Sequence, residues 1–547
     1  MQNTLTPEKG SVAASSHAKT SDLLAKSQKG MVTSPHELAT RAGLRVLQTG
    51  GNAIEAAITM GACLNVTYPH FTGFGGDAFM IISQRNGKTK TISGIGQAAE
   101  MLPFYQGSIP LRGPASMLTS AASVDALGRA FEISRNESGG KMSWSDLLAP
   151  AINLAREGFP TTPSERFWTD FRRNEMKELP GVAAGYMKDG KTREIGEPFR
   201  QPKLAATLET LAERGYRDFY EGQLAAQIAR GLADAGSPLT KSDLAKTAAR
   251  IEPPLRVPYR GGELLAHQPP TQGVTTLQIM GILERFNLKS IPEGSADFYH
   301  LLVEAVKCAF LDRNRYVSDP EFSDVPCLAM LSPATLDRHA AGIDVARARD
   351  WQDTFKTGDT VFLAAADGAG NSVSMLQTIY FDWGSGVMVG DTGMLWHNRG
   401  ASFNLQNGHP NVLAPGKRPF HTLNPGMYLR NGKPSLLYGT QGADGQPQTL
   451  SLLLARLIDY GLDPLTALAK PRFLLGKTFS DSRDSLKIES DAGLAVFNTL
   501  SERGHTLSEL AAQSPLAGHA GAILIKPETG DFLGAHDPRS DGRALGL

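Results

Sequence analysis

Cysteine is scarce in this 547-residue chain: only Cys63, Cys308 and Cys327 occur. Each stands in an apolar stretch, where buried thiols are commoner than bridges or metal ligands, which argues against a disulfide framework. Neither sign of charge is in excess, because Lys plus Arg and Asp plus Glu both total 55 and the formal charge is zero. No global field draws in nucleic acid or an anionic membrane, so the expected partner is a small molecule. No apolar run approaches the length that spans a bilayer. The first residues are rich in Ser, Ala, Lys and Thr and lack the apolar core of a secretory signal; residues 1–29 read as a loose leader on a cytoplasmic protein.

What is present is ordinary globular material, with 41% hydrophobic and 20% charged residues in a chain longer than one core comfortably fills. Helical spacing over 36–48 ends at Gly50-Gly51, and Asn52 caps a second helix over 53–64 that is small and apolar nearly all round. A glycine-rich loop, Tyr68 to Asp77, leads into a strand over 78–83, and Asn86-Gly87 returns the chain as a hairpin. The middle, 144–343, has a mainly helical pattern. From Thr360 the texture changes to short strands and tight turns over 361–366, 372–379 and 434–438, with a helix over 448–460 and last strands at 520–525 and 532–533. Strands early, helices in the middle and strands late predict a layered α+β body in which both ends of the chain build the sheets.

Several chemistries are excluded by their missing patterns. The twelve histidines form no His-Glu-x-x-His spacing, there are no paired cysteines, and no Gly-x-Ser-x-Gly elbow occurs. Neither a metal nor a cofactor is expected. Gly94-Ile95-Gly96-Gln97-Ala98-Ala99 follows a strand, but Pro103 interrupts the helix that would receive a pyrophosphate, so a tight connection between layers is expected there.

One segment, Gly358-Asp359-Thr360-Val361-Phe362, stands where the helical texture gives way to strands. With the ordered set Gly50-Gly51-Asn52-Ala53-Ile54, Gly73-Phe74-Gly75-Gly76, Phe219-Tyr220-Glu221-Gly222, Pro269-Pro270-Thr271-Gln272-Gly273, Gly416-Lys417-Arg418-Pro419, Gly439-Thr440-Gln441-Gly442 and Asp537-Pro538-Arg539-Ser540-Asp541-Gly542, it resembles the gamma-glutamyltranspeptidase family. The resemblance runs from about Gly30 to the C-terminus. It implies a four-layer αββα N-terminal-nucleophile sandwich and a precursor cut between Asp359 and Thr360. The pieces would be a large subunit, 30–359, and a small subunit, 360–547, held together as a heterodimer with any larger assembly left open. Thr360 would be the nucleophile, its freed α-amine the general base. The backbone amides of Gly442 and Ala443 match the family's oxyanion donors, or form a plain strand-to-helix turn. Thr378 matches a hydroxyl associated with self-cleavage, or is a β-former in a strand.

The sequence departs from the glutamyl enzymes where they hold their substrate. No arginine occurs from Gly94 to Leu102, the small-subunit aspartate position is Ser402, and the paired serines become His421-Thr422. Asn398-Arg399-Gly400 and Gly408-His409-Pro410-Asn411, with Tyr68-Pro69-His70, resemble instead the amidohydrolase branch that includes oxamate amidohydrolase. The pocket is expected to draw on Arg399, Asn398, His421, Thr422, Ser402 and Tyr380. Arg399 either grips a substrate carboxylate or serves a structural ion pair. The leading expectation is hydrolysis of a small carboxylate-bearing amide, with oxamate as candidate. The alternatives are a glutathione hydrolase or transpeptidase with an altered pocket, and a non-catalytic binding protein.

Overall fold

The computed structural model describes residues 23–351, 359–477, 483–526 and 528–547. In chain order the strands of its two large sheets are β1 (Ala25–Ser27), β2 (Gly30–Ser34), β3 (Asp77–Ser83), β4 (Thr89–Gly94), β5 (Arg250–Glu252), β6 (Leu255–Tyr259), β7 (Gly262–Ala266), β8 (Asp359–Asp367), β9 (Ser372–Tyr380), β10 (Gly426–Arg430), β11 (Lys433–Thr440), β12 (Ala520–Lys526), β13 (Asp531–His536) and β14 (Arg543–Gly546). One seven-stranded sheet runs β1-β13-β12-β11-β10-β7-β6 and the other β14-β2-β8-β9-β3-β4-β5. Neighbours in both are antiparallel throughout.

The sheets pack face to face. Phe79, Ile81, Phe362, Ala364 and Leu376 from one meet Leu265, Met427, Leu437 and Ile523 from the other. On the outer face of the β8 sheet, Val361, Leu363 and Ala365 share a core with α1 (Glu37–Gln48), α2 (Ala53–Thr67) and α3 (Ser123–Glu137). On the outer face of the β11 sheet, Leu436 and Tyr438 pack with α4 (Gly273–Leu283), α5 (Ala296–Tyr316) and α6 (Gln446–Leu454). Alternation along each strand thus feeds one inter-sheet core and one helical core, which is the αββα layering expected. Asn52 caps α2 through a reciprocal box with Glu55, and every residue of that helix is buried, as its apolar composition requires.

Some local expectations need correction. The leader is not loose throughout: β1 pairs with β13 through Ala25↔Gly534 as the end strand of its sheet, so ordered structure begins before Gly30. The remainder of the leader, residues 1–22, lies outside the described residues. The middle carries β5, β6 and β7 among its helices; β6 buries Leu255, Val257 and Tyr259 and exposes Arg256 and Pro258, an alternation that helical counting hides. A small third sheet, Phe473–Leu475, Leu486–Glu489 and Leu507–Leu510, and the terminal β14 have no clear sequence signal. The Gly94–Ala99 segment is a connection between layers, with Gly96 N–H on Asp77 Oδ1 at 3.1 Å. Among the described residues no helix is long and apolar enough to cross a membrane.

Candidate active site

The hairpin β8–β9 places the expected nucleophile. Its turn is set by Asp367, whose Oδ1 accepts the N–H groups of Ala369 and Asn371 at 3.0 and 2.9 Å, while Oδ2 takes the Ala53 N–H at the start of α2. At the other end the register slips: Asp359 pairs with Tyr380 but Val361 with Gln377. This bulge and the left-handed backbone of Tyr380, φ 77°, bend the strand end. Thr378 Oγ1 accepts the Tyr380 N–H at 2.7 Å and donates to the Asp359 carbonyl oxygen, the carbonyl of the bond expected to be cut. Thr360 is 1% exposed, and its hydroxyl receives Gln446 Nε2 at 3.2 Å. Gln446 is fixed at its other end by the Asn424 N–H.

The turn after β11 leads to Gln446, which reaches this hydroxyl. Gly442 has φ 125° and Ala443 φ 46°, both in the region that disfavours side chains, so the conformation is held by contacts. Gln272 Nε2 donates to the carbonyls of Ala443 and Thr422 at 2.7 Å each, and Arg313 Nη1 ties Gln272 Oε1 to Asp444 at 3.1 Å each. Among the described residues no carbonyl or side chain accepts from the N–H of Gly442 or Ala443. Two backbone donors are left for an incoming oxygen.

Arg399 makes no ion pair among the described residues. It is fully buried, its guanidinium lies 3.9 Å over the Tyr380 ring, and Nε, Nη1 and Nη2 all lack a partner. Burial lowers its pKa to about 10, still well above neutrality, so the group stays charged. Tyr380, whose ring this unpaired cation covers, is the strand partner of Asp359. The other cations nearby are engaged: Arg418 clamps Asp319, with Nη2 to Oδ1 at 2.6 Å, and Lys417 donates to the Pro410 carbonyl at 2.6 Å.

His421 is occupied. Its Nδ1 accepts the Leu423 N–H at 3.3 Å and Nε2 faces Asp77 Oδ2 at 3.2 Å, so it is a neutral ring donating to the carboxylate. Burial, then the charge of Arg399, presses its pKa to about 3. Burial alone would raise Asp77, but His397, 3.4 Å away, and His421 hold it far below the usual carboxylate range. Asn398 is also engaged at both amide ends, Oδ1 by the Phe381 N–H at 3.1 Å and Nδ2 by the Leu111 carbonyl at 2.6 Å; it anchors the loop that presents Arg399. Ser402 Oγ donates to the Phe420 carbonyl at 3.3 Å. The Thr422 carbonyl is held by Gln272, and its side chain is buried nearby. The structure therefore gathers Thr360, Thr378, Gly442, Ala443, Tyr380 and Arg399, while the polar groups of Asn398, His421 and Ser402 are engaged in the frame. Sequence reasoning assigned no role to Gln446, Gln441 or Asp77. Asp77 ends the glycine-rich loop and Gln441 lies inside the quoted Gly439–Gly442 motif, but Gln446 carries no signal of its own.

Among the described residues, His300, Glu304 and His505 are the one group whose ligand atoms converge as a metal site would need. All are satisfied by protein: His505 by His300 at 2.9 Å, His300 by the Asp344 carbonyl at 2.8 Å, and Glu304 by Lys307 at 2.8 Å and the Arg349 N–H at 3.2 Å.

Comparison with known proteins agrees with this geometry. The family profile described as Gamma-glutamyltranspeptidase matches residues 39–547. The chain is 41% identical over 524 residues to the oxamate amidohydrolase proenzyme of Klebsiella pneumoniae, covering 95% of this chain and 99% of that one. It is 38% identical to the glutathione hydrolase-like YwrD proenzyme of Bacillus subtilis, with 95% and 98% covered. Among solved structures, cephalosporin acylase from Bacillus halodurans superposes with a TM-score of 0.89 at 30% identity, covering 100% of this chain and 99% of that one. The chain belongs to the gamma-glutamyltranspeptidase family, as an amide-bond hydrolase of the N-terminal-nucleophile type on the branch resembling oxamate amidohydrolase.

Proposed function

We propose that the protein cuts itself between Asp359 and Thr360 and then hydrolyses a small amide that carries a carboxylate, with oxamate as the candidate substrate. The supporting observation is Arg399, a buried guanidinium with three unpartnered nitrogens that lies over the ring of Tyr380, the strand partner of Asp359. Leaving such a charge unpaired costs several kcal/mol or about that, so the position is built for an anion that arrives from outside. Guanidinium geometry favours a two-pronged carboxylate.

Maturation begins when Thr360 Oγ1 adds to the Asp359 carbonyl carbon, whose oxygen Thr378 polarises. The C–N bond breaks, the hydroxyl proton ends on the freed Thr360 amine, and water hydrolyses the resulting ester to an Asp359 carboxylate and the Thr360 hydroxyl. The amine has an ordinary pKa just below 8, so a useful fraction is neutral base at physiological pH. In catalysis the same hydroxyl attacks the substrate carbonyl, the Gly442 and Ala443 N–H groups receive the oxyanion, and ammonia leaves from oxamate; water then releases oxalate. Subunits 30–359 and 360–547 stay paired, since each contributes strands to both sheets.

N-terminal sequencing of the smaller fragment is expected to read Thr-Val-Phe-Leu. The matured protein should release ammonia from oxamate faster than glutamate from a chromogenic gamma-glutamyl anilide. A different N-terminus sinks the nucleophile, and a preference for the anilide sinks the substrate assignment. Thr360→Ala should remain one inactive chain.

A further inference from the structure

The resemblance gives the Asp359 side chain no role, yet it is buried beside the bond proposed to be cut. Its Oδ1 accepts Gln441 Nε2 at 2.7 Å. Its Oδ2 and Gln441 Oε1 are both buried without a hydrogen-bond partner. Both acceptors are satisfied at once if Oδ2 carries a proton and donates it to Gln441 Oε1, because a carboxylic acid and a carboxamide then exchange two hydrogen bonds. Gln441 is well placed to hold such a pair: its N–H is on the His519 carbonyl at 2.9 Å and its carbonyl receives Thr440 Oγ1 at 2.8 Å.

We propose that Asp359, as a neutral acid paired with the Gln441 carboxamide, is a latch that positions the Asp359–Thr360 bond for self-cleavage. This rests on the maturation reading above. Thr378 fixes the carbonyl oxygen of Asp359 and Gln441 its side chain, so the residue ahead of the cut is gripped at two points. The surroundings favour the neutral acid. Burial, then the nearby Asp382, drives the Asp359 carboxyl well above the usual range, against the smaller opposing effects of Gln441, Arg172 and Arg112. Those arginines are held by Asp382, Arg172 Nε at 2.6 Å and Arg112 Nη2 at 3.0 Å, and Tyr68 is the further titratable group facing the site. Gln441 also adjoins the Gly442–Ala443 turn, so the latch ties the scissile bond to the oxyanion donors.

The test is the rate of self-cleavage of pulse-labelled full-length chain, followed on gels from pH 6 to 10 with N-terminal sequencing of the product. Asp359→Asn reproduces the neutral acid's donor and acceptor. It should cleave within about threefold of wild type at neutral pH and stay fast at high pH, where the wild type slows as Asp359 ionises. Asp359→Ala and Gln441→Leu should each slow cleavage about tenfold or more. Asp359→Ala cleaving at the wild-type rate, or Asp359→Asn as slow as Asp359→Ala, overturns the latch while leaving the maturation reading intact. A wild-type chain that never cleaves overturns both. Should Gln441→Leu not accumulate as folded protein, the two Asp359 variants decide alone.

Discussion

At the scale of single residues, the role proposed for Arg399 sets binding against stability. An apolar side chain of similar reach would still cover Tyr380 and would remove an unpaired buried charge. Arg399→Met is therefore expected to stabilise the unliganded protein by about 1–4 kcal/mol, read as a higher Tm. The same change should abolish the preference for oxamate over its uncharged diamide. Arg399→Ala should lower kcat/KM on oxamate by roughly ten- to a hundredfold, the equivalent of about 1.5–3 kcal/mol for one charge-assisted contact. Arg399→Lys should recover only part of this, because a point charge cannot supply the planar fork. Fragment formation should survive in all three. An arginine variant that loses stability, or that fails to mature, would mark Arg399 as part of the frame.

Among the elements, the loop into β3 shows where small residues are compulsory. A Cβ on Gly76 would meet the Thr378 carbonyl oxygen at 2.1 Å, a backbone atom of the residue whose hydroxyl donates to the Asp359 carbonyl. On Gly73 the nearest atom would be Ile379 Cγ2 at 3.5 Å, an ordinary contact. Gly76→Ala is thus expected to block maturation and Gly73→Ala to permit it, as gel analysis of the purified chains would show.

Acid sensitivity belongs to the loop after β13. Asp537 lies between Arg472 and Arg539 and accepts the Ala520 N–H at 2.7 Å. Burial would raise its pKa, but the two arginines hold it far below the usual range. A depressed folded-state pKa means that its stabilisation is complete above the unfolded value of about 3.9 and is lost as pH falls below it. Asp537→Asn should cost about 3–5 kcal/mol at neutral pH, with a smaller difference from wild type at pH 3. Equal Tm values at pH 7 would refute this.

For the whole molecule, the proposed cut falls inside a sheet. β8 is flanked by β2, from the large fragment, and β9, from the small one, and in the other sheet β1, β6 and β7 from the large fragment flank small-fragment strands. Neither piece has a complete core, so both should elute as one particle in size-exclusion chromatography after cleavage and separate only in denaturant. Two particles in native buffer would contradict the shared sheets.

The sequence by itself determined the layering and the family, and singled out Thr360 as the proposed nucleophile, because these rest on local signals. Small apolar residues nearly all round marked α2, Asn86-Gly87 marked the β3–β4 hairpin, and Asp359-Thr360 sat at a change of texture. Tertiary structure decided what the polar residues do, since a side chain's partner is chosen by groups distant in sequence. Arg399 and His421 looked alike as pocket candidates, yet His421 is engaged by Asp77, 344 residues away, and Arg399 is left unpaired. Gln441 and Gln446 lie five residues apart, one in the loop after β11 and one at the start of α6, but the fold sends one to Asp359 and the other to Thr360, on opposite sides of a single peptide bond.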